Sequence, residues 1–207
     1  GELDVLAGGV AYRCRVLVVC ADAWTSRVLA PLGARIPLTV TREQVAYLEP
    51  RDPAAFHPDR FPVWIWMDDP SFYGLPSYEG TGAKIGQDVG GPEVDPDRRS
   101  LEPDPAYHAR LEAFLRERLP DALGPVLEAR TCLYAMPPDR DLVLGPLPGH
   151  PNVLVAQGAA HGFKFAALLG RVLAELAVDG ETDVDLSPYR VDREALTAED
   201  APRRFLV

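Results

Sequence analysis

No pair of cysteines in this chain has the spacing of a metal or redox motif. Cys14, Cys20 and Cys132 are odd in number and scattered through 207 residues. That argues against a disulfide framework and against a zinc site built on Cys-x-x-Cys. Cys14 and Cys20 straddle an apolar run and read as small buried thiols. A reducing cytoplasm is the expected compartment. No apolar run reaches transmembrane length, and no signal peptide opens the sequence. Positive charge is scarce: 21 Lys and Arg face 31 Asp and Glu, for a net charge of −10. Neither a nucleic acid nor an anionic membrane would be drawn to such a surface. A Gly-x-Ser-x-Gly elbow is missing, which argues against a hydrolase of that type. Also missing is a Gly-x-Gly-x-x-Gly turn opening a βαβ unit. The glycines at 80, 82 and 86 have the wrong spacing and precede a strand. His57, His108 and His150 are isolated, and Asp139, Asp141 and Asp183 have no metal-ligand spacing, so no metal site is expected.

What is present is an ordinary globular composition, 47% apolar, with 21 prolines. The prolines cluster in turns, which signals rigid connections and not disorder. Arg15 to Cys20 is short, apolar and β-branched, and reads as a buried strand. Asp22 is placed to cap a helix running to about Gly33. Strand character recurs over 38–49, 63–67, 71–75 and 83–89, each bounded by Pro, Gly or Asp, and predicts an antiparallel meander. Trp64-Ile65-Trp66 alternates weakly, so both of its faces are expected to be covered. A charged loop at 90–103, including Glu93 to Arg99, reads as solvated. Asp104-Pro105 is an N-cap followed by proline at the first helical position, and Leu111, Phe114, Leu115 and Leu119 give that helix one apolar face. A further strand is expected over 126–134.

The most informative stretch is Val153 to Ala177. It reads as a buried strand, a glycine turn at Gly158 to Gly162, then a helix, with His161 and Lys164 where the helix begins. Helix starts offer unpaired N–H groups and the positive end of the dipole, a natural seat for an anion or an electron-rich ring edge. Glycine lets the backbone come close to whatever sits there. The plain alternative is a packing βα unit with a satisfied histidine and a solvated lysine.

His161-Gly162-Phe163-Lys164-Phe165, together with Arg130-Thr131-Cys132-Leu133-Tyr134, resembles the monomeric sarcosine oxidase and N-methyltryptophan oxidase family of flavin-dependent amine oxidases. The resemblance extends through Ser71 to Ser77, Gly82 to Gly86, Val16 to Trp24 and Asp185 to Arg190, in register over nearly the whole chain. It implies an α+β chain cut from an α/β parent: an antiparallel substrate-domain sheet inserted in a discontinuous FAD-binding domain. Residues 1–36 and 133–207 would belong to the FAD-binding domain and 37–132 to the catalytic sheet. The family carries its dinucleotide fingerprint in an N-terminal half, so the chain corresponds to the C-terminal portion.

The resemblance also assigns roles. Cys132 matches the cysteine joined through sulfur to the flavin. A thioether needs a thiolate, which needs an electropositive setting, and Arg130 is near in sequence. Lys164 matches the lysine that binds the substrate carboxylate, a task suited to a compact ammonium. His161 matches a histidine beside flavin and substrate, and Gly158, Gly162 and Phe163 complete the cofactor-binding turn. Lys84 matches the lysine that supports reaction of the reduced ring with oxygen, where positive charge would stabilise developing negative charge. Tyr73 matches an active-site tyrosine. Asp88 departs from the pattern, standing where sarcosine oxidases usually have histidine, and favours a more cationic amine. The expected activity is FAD-dependent oxidation of a secondary amine or N-methyl amino acid by oxygen to an imine and hydrogen peroxide. The alternative is a non-catalytic fragment or partner subunit that docks on a separate flavin-binding half.

Overall fold

Turn chemistry divides the chain into short strands before any tertiary contact is considered. The computed structural model describes residues 2–198. The first strands, β1 (Leu3–Ala7) and β2 (Val10–Cys14), form a hairpin, followed by β3 (Leu17–Val19). Next come α1 (Thr25–Leu29), β4 (Thr39–Leu48), β5 (Trp64–Trp66), β6 (Ser71–Leu75), β7 (Ala83–Asp88) and α2 (Pro105–Arg118). Then follow β8 (Val126–Met136), β9 (Val143–Leu147), β10 (His150–Gln157), α3 (Ala166–Val178) and α4 (Glu194–Thr197). The described residues fall into two compact units, one contiguous from 40 to 134 and the other joining residues up to 39 with those from 135 onward. Among the described residues no helix is long and apolar enough to cross a membrane.

The contiguous unit is built on a sheet of order β5-β6-β7-β4-β8. Its β5–β6–β7–β4 portion is antiparallel, with Ile65 opposite Tyr73, Tyr73 opposite Gly86 and Gly86 opposite Val45. Alternation along a strand sends successive side chains to opposite faces. On one face Ala46, Leu48, Phe72, Ala83 and Ile85 pack with Tyr107, Leu111 and Leu115 of α2. Helix α2 begins as its sequence requires: the Asp104 carboxylate accepts from the Ala106 N–H at 2.9 Å, and proline follows the cap. Phe114 stacks on Phe72 with centroids 4.1 Å apart and on Trp64 at 5.8 Å. Such aromatic pairs add about 0.5–1.5 kcal/mol beyond area burial. The opposite face takes Tyr73, Lys84, Gly86 and Asp88.

The discontinuous unit holds a sheet of order β3-β10-β9. Strand β3 runs parallel to β10, with Leu17 opposite Val153, while β9 runs antiparallel, with Gly145 opposite Val155. Leu144 and Leu154 pack on Val172 and Leu173 of α3, whereas Val143, Val153 and Val155 pack on Val19, Leu29 and Ile36. Two covered faces explain why β10 reads as a continuous apolar run.

Four local expectations change. The helix expected from Asp22 to Gly33 is a short α1 between two 3-10 turns, Asp22–Trp24 and Ala30–Leu32. Asp22 has φ 42 and makes no side-chain cap, and Pro31 lies in the second turn. Strand β5 is not covered on both faces, for Ile65 is 64% exposed. Cys20 is exposed and Cys14 only half-buried, so neither is a core thiol. Two strand regions, β1 and β9, were not expected from the sequence.

Candidate functional site

Tyr73, Lys84 and Cys132 lie in the contiguous unit; Gly158, His161, Gly162, Phe163 and Lys164 lie in the discontinuous one.

In the contiguous unit the structure brings three expected residues together with Tyr134. Gly86 starts the arrangement. A Cβ there would lie 2.9 Å from the ring and hydroxyl of Tyr73, so only glycine lets the Tyr73 ring cross β7 at close range. Lys84, on the same strand face, then sits with Nζ 5.6 Å from the Tyr73 ring centroid, within cation–π reach. Lys84 is half-buried on a strand flanked by β6 and β4, so it is not at a sheet edge. The Tyr73 and Tyr134 hydroxyls share a hydrogen bond. Burial pushes the Tyr73 hydroxyl up to about 12, with that hydrogen bond opposing and the charges of Cys132, Asp88 and Glu43 adding to the rise. Burial likewise holds Tyr134 protonated. Cys132 is half-buried, and burial raises its thiol above the usual range. The Glu43 carboxylate adds to that rise, while Lys84 and Arg99 oppose it. Arg130 plays no such part: its guanidinium is exposed and donates to Glu128.

Glu43 was not expected from the sequence. It is only 1% exposed, and its carboxylate accepts from the Thr41 hydroxyl at 2.6 Å and the Gly91 N–H at 3.0 Å. Burial raises its pKa first, Thr41 and Gly91 counter that, and Asp88 raises it further. One clue to the lysines also lay in the composition. Lys84 and Lys164 are the only lysines among 21 basic residues. A chain that otherwise uses arginine keeps the compact, strongly hydrated ammonium at two positions.

In the discontinuous unit the strand–turn–helix expectation is met with one change. His161 and Lys164 do not start the α-helix: a 3-10 turn, Gly162–Phe165, precedes α3. The turn before it is tight. His161 N–H donates to Gly158 O at 3.0 Å, and a Cβ on Gly158 would lie 3.1 Å from Gly162 Cα. Ala159 and Ala160 hold φ of 47° and 69°, left-handed values that cost a residue with a Cβ about 1 kcal/mol or more each. The brace is Gln157, also missed by the sequence reading. It is 2% exposed; its Nε2 donates to Ala135 O at 2.8 Å and Asp22 Oδ1 at 3.2 Å, and its Oε1 accepts from Ala159 N–H. His161 and Phe165 line a cleft of about 280 Å³ with Leu142, Leu168, Val172 and Tyr189. Lys164 is exposed with Nζ 5.6 Å from the Phe165 ring, and Phe163 is 95% exposed. Among the described residues no cluster of three or more His, Cys, Asp or Glu is placed to hold a metal ion.

Comparison with known proteins places the chain in a family. The family model described as FAD dependent oxidoreductase matches residues 2–176. Monomeric sarcosine oxidase from Bacillus sp. (strain NS-129) is 34% identical over 193 residues, covering 91% of this chain and 50% of that protein. N-methyl-L-tryptophan oxidase from Escherichia coli O81 (strain ED1a) is 33% identical, covering 90% of this chain and 50% of that one. Among solved structures, the open form of NikD, an unusual amino acid oxidase essential for nikkomycin biosynthesis, superposes with a TM-score of 0.77 at 27% identity, over 100% of this chain and 52% of that one. Glycine oxidase from Geobacillus kaustophilus shares the fold, with a TM-score of 0.73 at 19% identity. The chain thus spans about half the length of the curated relatives it matches.

Proposed function

Because the chain belongs to the FAD-dependent oxidoreductase family, we propose that it supplies the catalytic sheet and part of the flavin cradle of an FAD-dependent oxidase of secondary amines or N-methyl amino acids. The observation that carries this reading is the arrangement on one sheet face: a half-buried lysine over a tyrosine ring, with Tyr134 and Cys132 beside it. FAD, when bound, would take a hydride (two electrons and a proton) from the substrate C–H, while the amine N–H gives up the second proton that reduction of oxygen to hydrogen peroxide requires. The substrate amine leaves as an imine, oxygen leaves as hydrogen peroxide, and water then hydrolyses the imine.

The residues fit such a cofactor. Gly158 lets the turn close tightly against Gly162, where a Cβ would meet backbone at 3.1 Å, and the cleft at His161 and Phe165 has apolar walls suited to a ring system. In this reading His161, Phe163, Gly158 and Gly162 contact the flavin, and Lys164 pairs with the substrate carboxylate as a point charge. Lys84 places positive charge where oxygen gains electrons. Tyr73, locked over Gly86 by Tyr134, orients the amine. Cys132 would be the residue that holds the flavin ring covalently, through a thioether from its sulfur.

A visible spectrum of the purified protein, repeated after acid precipitation, tests this. Yellow colour retained in the pellet and lost in Cys132→Ser supports the covalent oxidase reading. Colour that washes out would leave FAD bound without the thioether. A colourless preparation would favour the second reading, a non-catalytic partner of a separate flavin-binding half. Co-purification of a second polypeptide would support that reading.

A further inference from the structure

The pairing of β4 with β7 stops at Val45 and Gly86, and resumes as a single bridge between Thr41 and Glu93. Between those two pairs, residues 42–44 of β4 face residues 87–92. The surplus makes a corner directly after Asp88. Val89 holds a φ of 62°, a left-handed value rare for a β-branched residue, and Gly90 follows at 119°. A strained corner persists only where its surroundings over-determine it, and such corners gather beside functional sites.

Two side chains fix this corner, one from each face of the sheet. Gln87 lies on the face that packs against α2. Its Nε2 donates to Val89 O at 2.8 Å, and its backbone N–H and carbonyl both bond the Tyr107 hydroxyl at 3.1 Å. Glu43 stands two residues from Val45, the cross-strand partner of Gly86, so it shares the face of Gly86, Lys84 and Tyr73. It is nevertheless buried, because the corner closes over it. The Gly91 N–H donates to both carboxylate oxygens, at 3.0 and 3.2 Å, and the Thr41 hydroxyl donates at 2.6 Å. A Cβ on Gly91 would lie 1.9 Å from Arg42 O and 2.9 Å from Glu43 Oε2, so only glycine comes this close. A carboxylate buried on neutral donors is a costly way to secure a loop. What it secures is Asp88, half-buried opposite Ser71 on the same face as Lys84 and Tyr73.

We propose that Glu43 is a positioning residue for Asp88: its carboxylate latches the Gly91 N–H, sets the corner that ends β7, and so fixes Asp88 as the anionic contact for the substrate amine. The role rests on the oxidase reading above, because it needs an amine at the face of Lys84 and Tyr73.

Steady-state kinetics of the flavin-loaded protein with sarcosine and with N-methyl-L-tryptophan test it. Glu43→Met fills the volume without a strong acceptor. It should raise KM about tenfold, the loss expected for one charge-assisted hydrogen bond, and leave kcat within about twofold. Glu43→Gln keeps an acceptor for Gly91 and should bring KM back to within about threefold of the parent. Asp88→Asn should raise KM as Glu43→Met does. The double variant should be no worse than either single one, because both act through one contact. Effects that multiply in the double variant would overturn the proposal, as would an unchanged KM in Glu43→Met. Hydrogen exchange on the peptide spanning 88–92 reads the latch itself: it should quicken in Glu43→Met and stay slow in Glu43→Gln. Equal exchange in Glu43→Met and the parent also overturns the proposal. Should Glu43→Met fail to fold, Thr41→Val strips one donor from the carboxylate and should raise KM about threefold; an unchanged KM there counts against the role. A parent that turns over neither amine sinks the oxidase reading and this role together, whereas normal turnover with multiplied effects sinks the role of Glu43 alone.

Discussion

Lys84 Nζ lies 5.6 Å from the centroid of the Tyr73 ring, across a glycine that leaves the ring no Cβ to climb over. That relationship fixes where a positive charge stands on the sheet face. Lys84→Met removes the charge and keeps the length of the stem. In the flavin-loaded enzyme it should slow reoxidation by oxygen by about 10²–10³-fold, the loss typical of one electrostatic stabiliser, with a smaller effect on reduction by the amine. Stopped-flow absorbance resolves the two half-reactions. Equal slowing of both would remove Lys84 from the oxygen step.

Tyrosine burial on the same face sets a stability limit at high pH. An unfolded tyrosine titrates near pH ~10, whereas burial pushes Tyr73 up to about 12. The folded state therefore binds this proton more tightly. The stability it contributes is complete below about pH 10 and is lost as pH rises through the folded value. Denaturant midpoints should stay level up to that window and fall above it. Tyr73→Phe should flatten part of the fall, with Tyr134 and Tyr107 supplying the remainder, since burial raises both.

Gln157 is the brace of the glycine turn. Gln157→Leu strands the Ala159 N–H, the Ala135 carbonyl and the Asp22 carboxylate. The expected cost is about 2–4 kcal/mol, read as a lowered Tm and faster hydrogen exchange at Ala159. An unchanged exchange rate would show that the turn holds without it.

Arg193 grips Asp139 through two parallel bonds, Nε to Oδ2 at 2.6 Å and Nη2 to Oδ1 at 2.8 Å, and donates to Leu142 O at 3.0 Å. Burial alone would raise Asp139, but Arg193 more than reverses this and holds the carboxyl below the usual range. A depressed carboxylate contributes stability that is present above its unfolded pKa and lost as pH falls through the folded one. Arg193→Met should cost about 2–4 kcal/mol at neutral pH, shrinking on acidification. A penalty independent of pH would assign the effect to packing.

The strands of the contiguous unit were legible because Pro, Gly and Asp punctuate them and apolar residues alternate between. Helix α2 was legible from Asp104-Pro105 and from the helical spacing of Leu111, Phe114, Leu115 and Leu119. Strand β9 was hidden because Gly145 and Pro146 interrupt its apolar run. The β1–β2 hairpin was hidden because both strands are largely exposed, although Gly8-Gly9 marks its turn. Glu43 and Gln157 look like ordinary polar residues in a strand. Their burial depends on partners remote in sequence, Gly91 for the one and Asp22 and Ala135 for the other. Arg99 was concealed by its neighbours, since a run of charges predicts solvent and one member turns inward. Local patterning thus reveals elements, while the polar interior is written by long-range pairing.

The parallel pairing of Leu17 with Val153 has a consequence for biosynthesis. Strand β3 leaves the ribosome before β10, and residues 40–134 are made between the two. Residues 39–136, by contrast, hold all five strands of their sheet and α2 in one uninterrupted stretch. Vectorial synthesis therefore favours completion of that inserted sheet first, with closure of the discontinuous sheet following it as the slower, high-contact-order event.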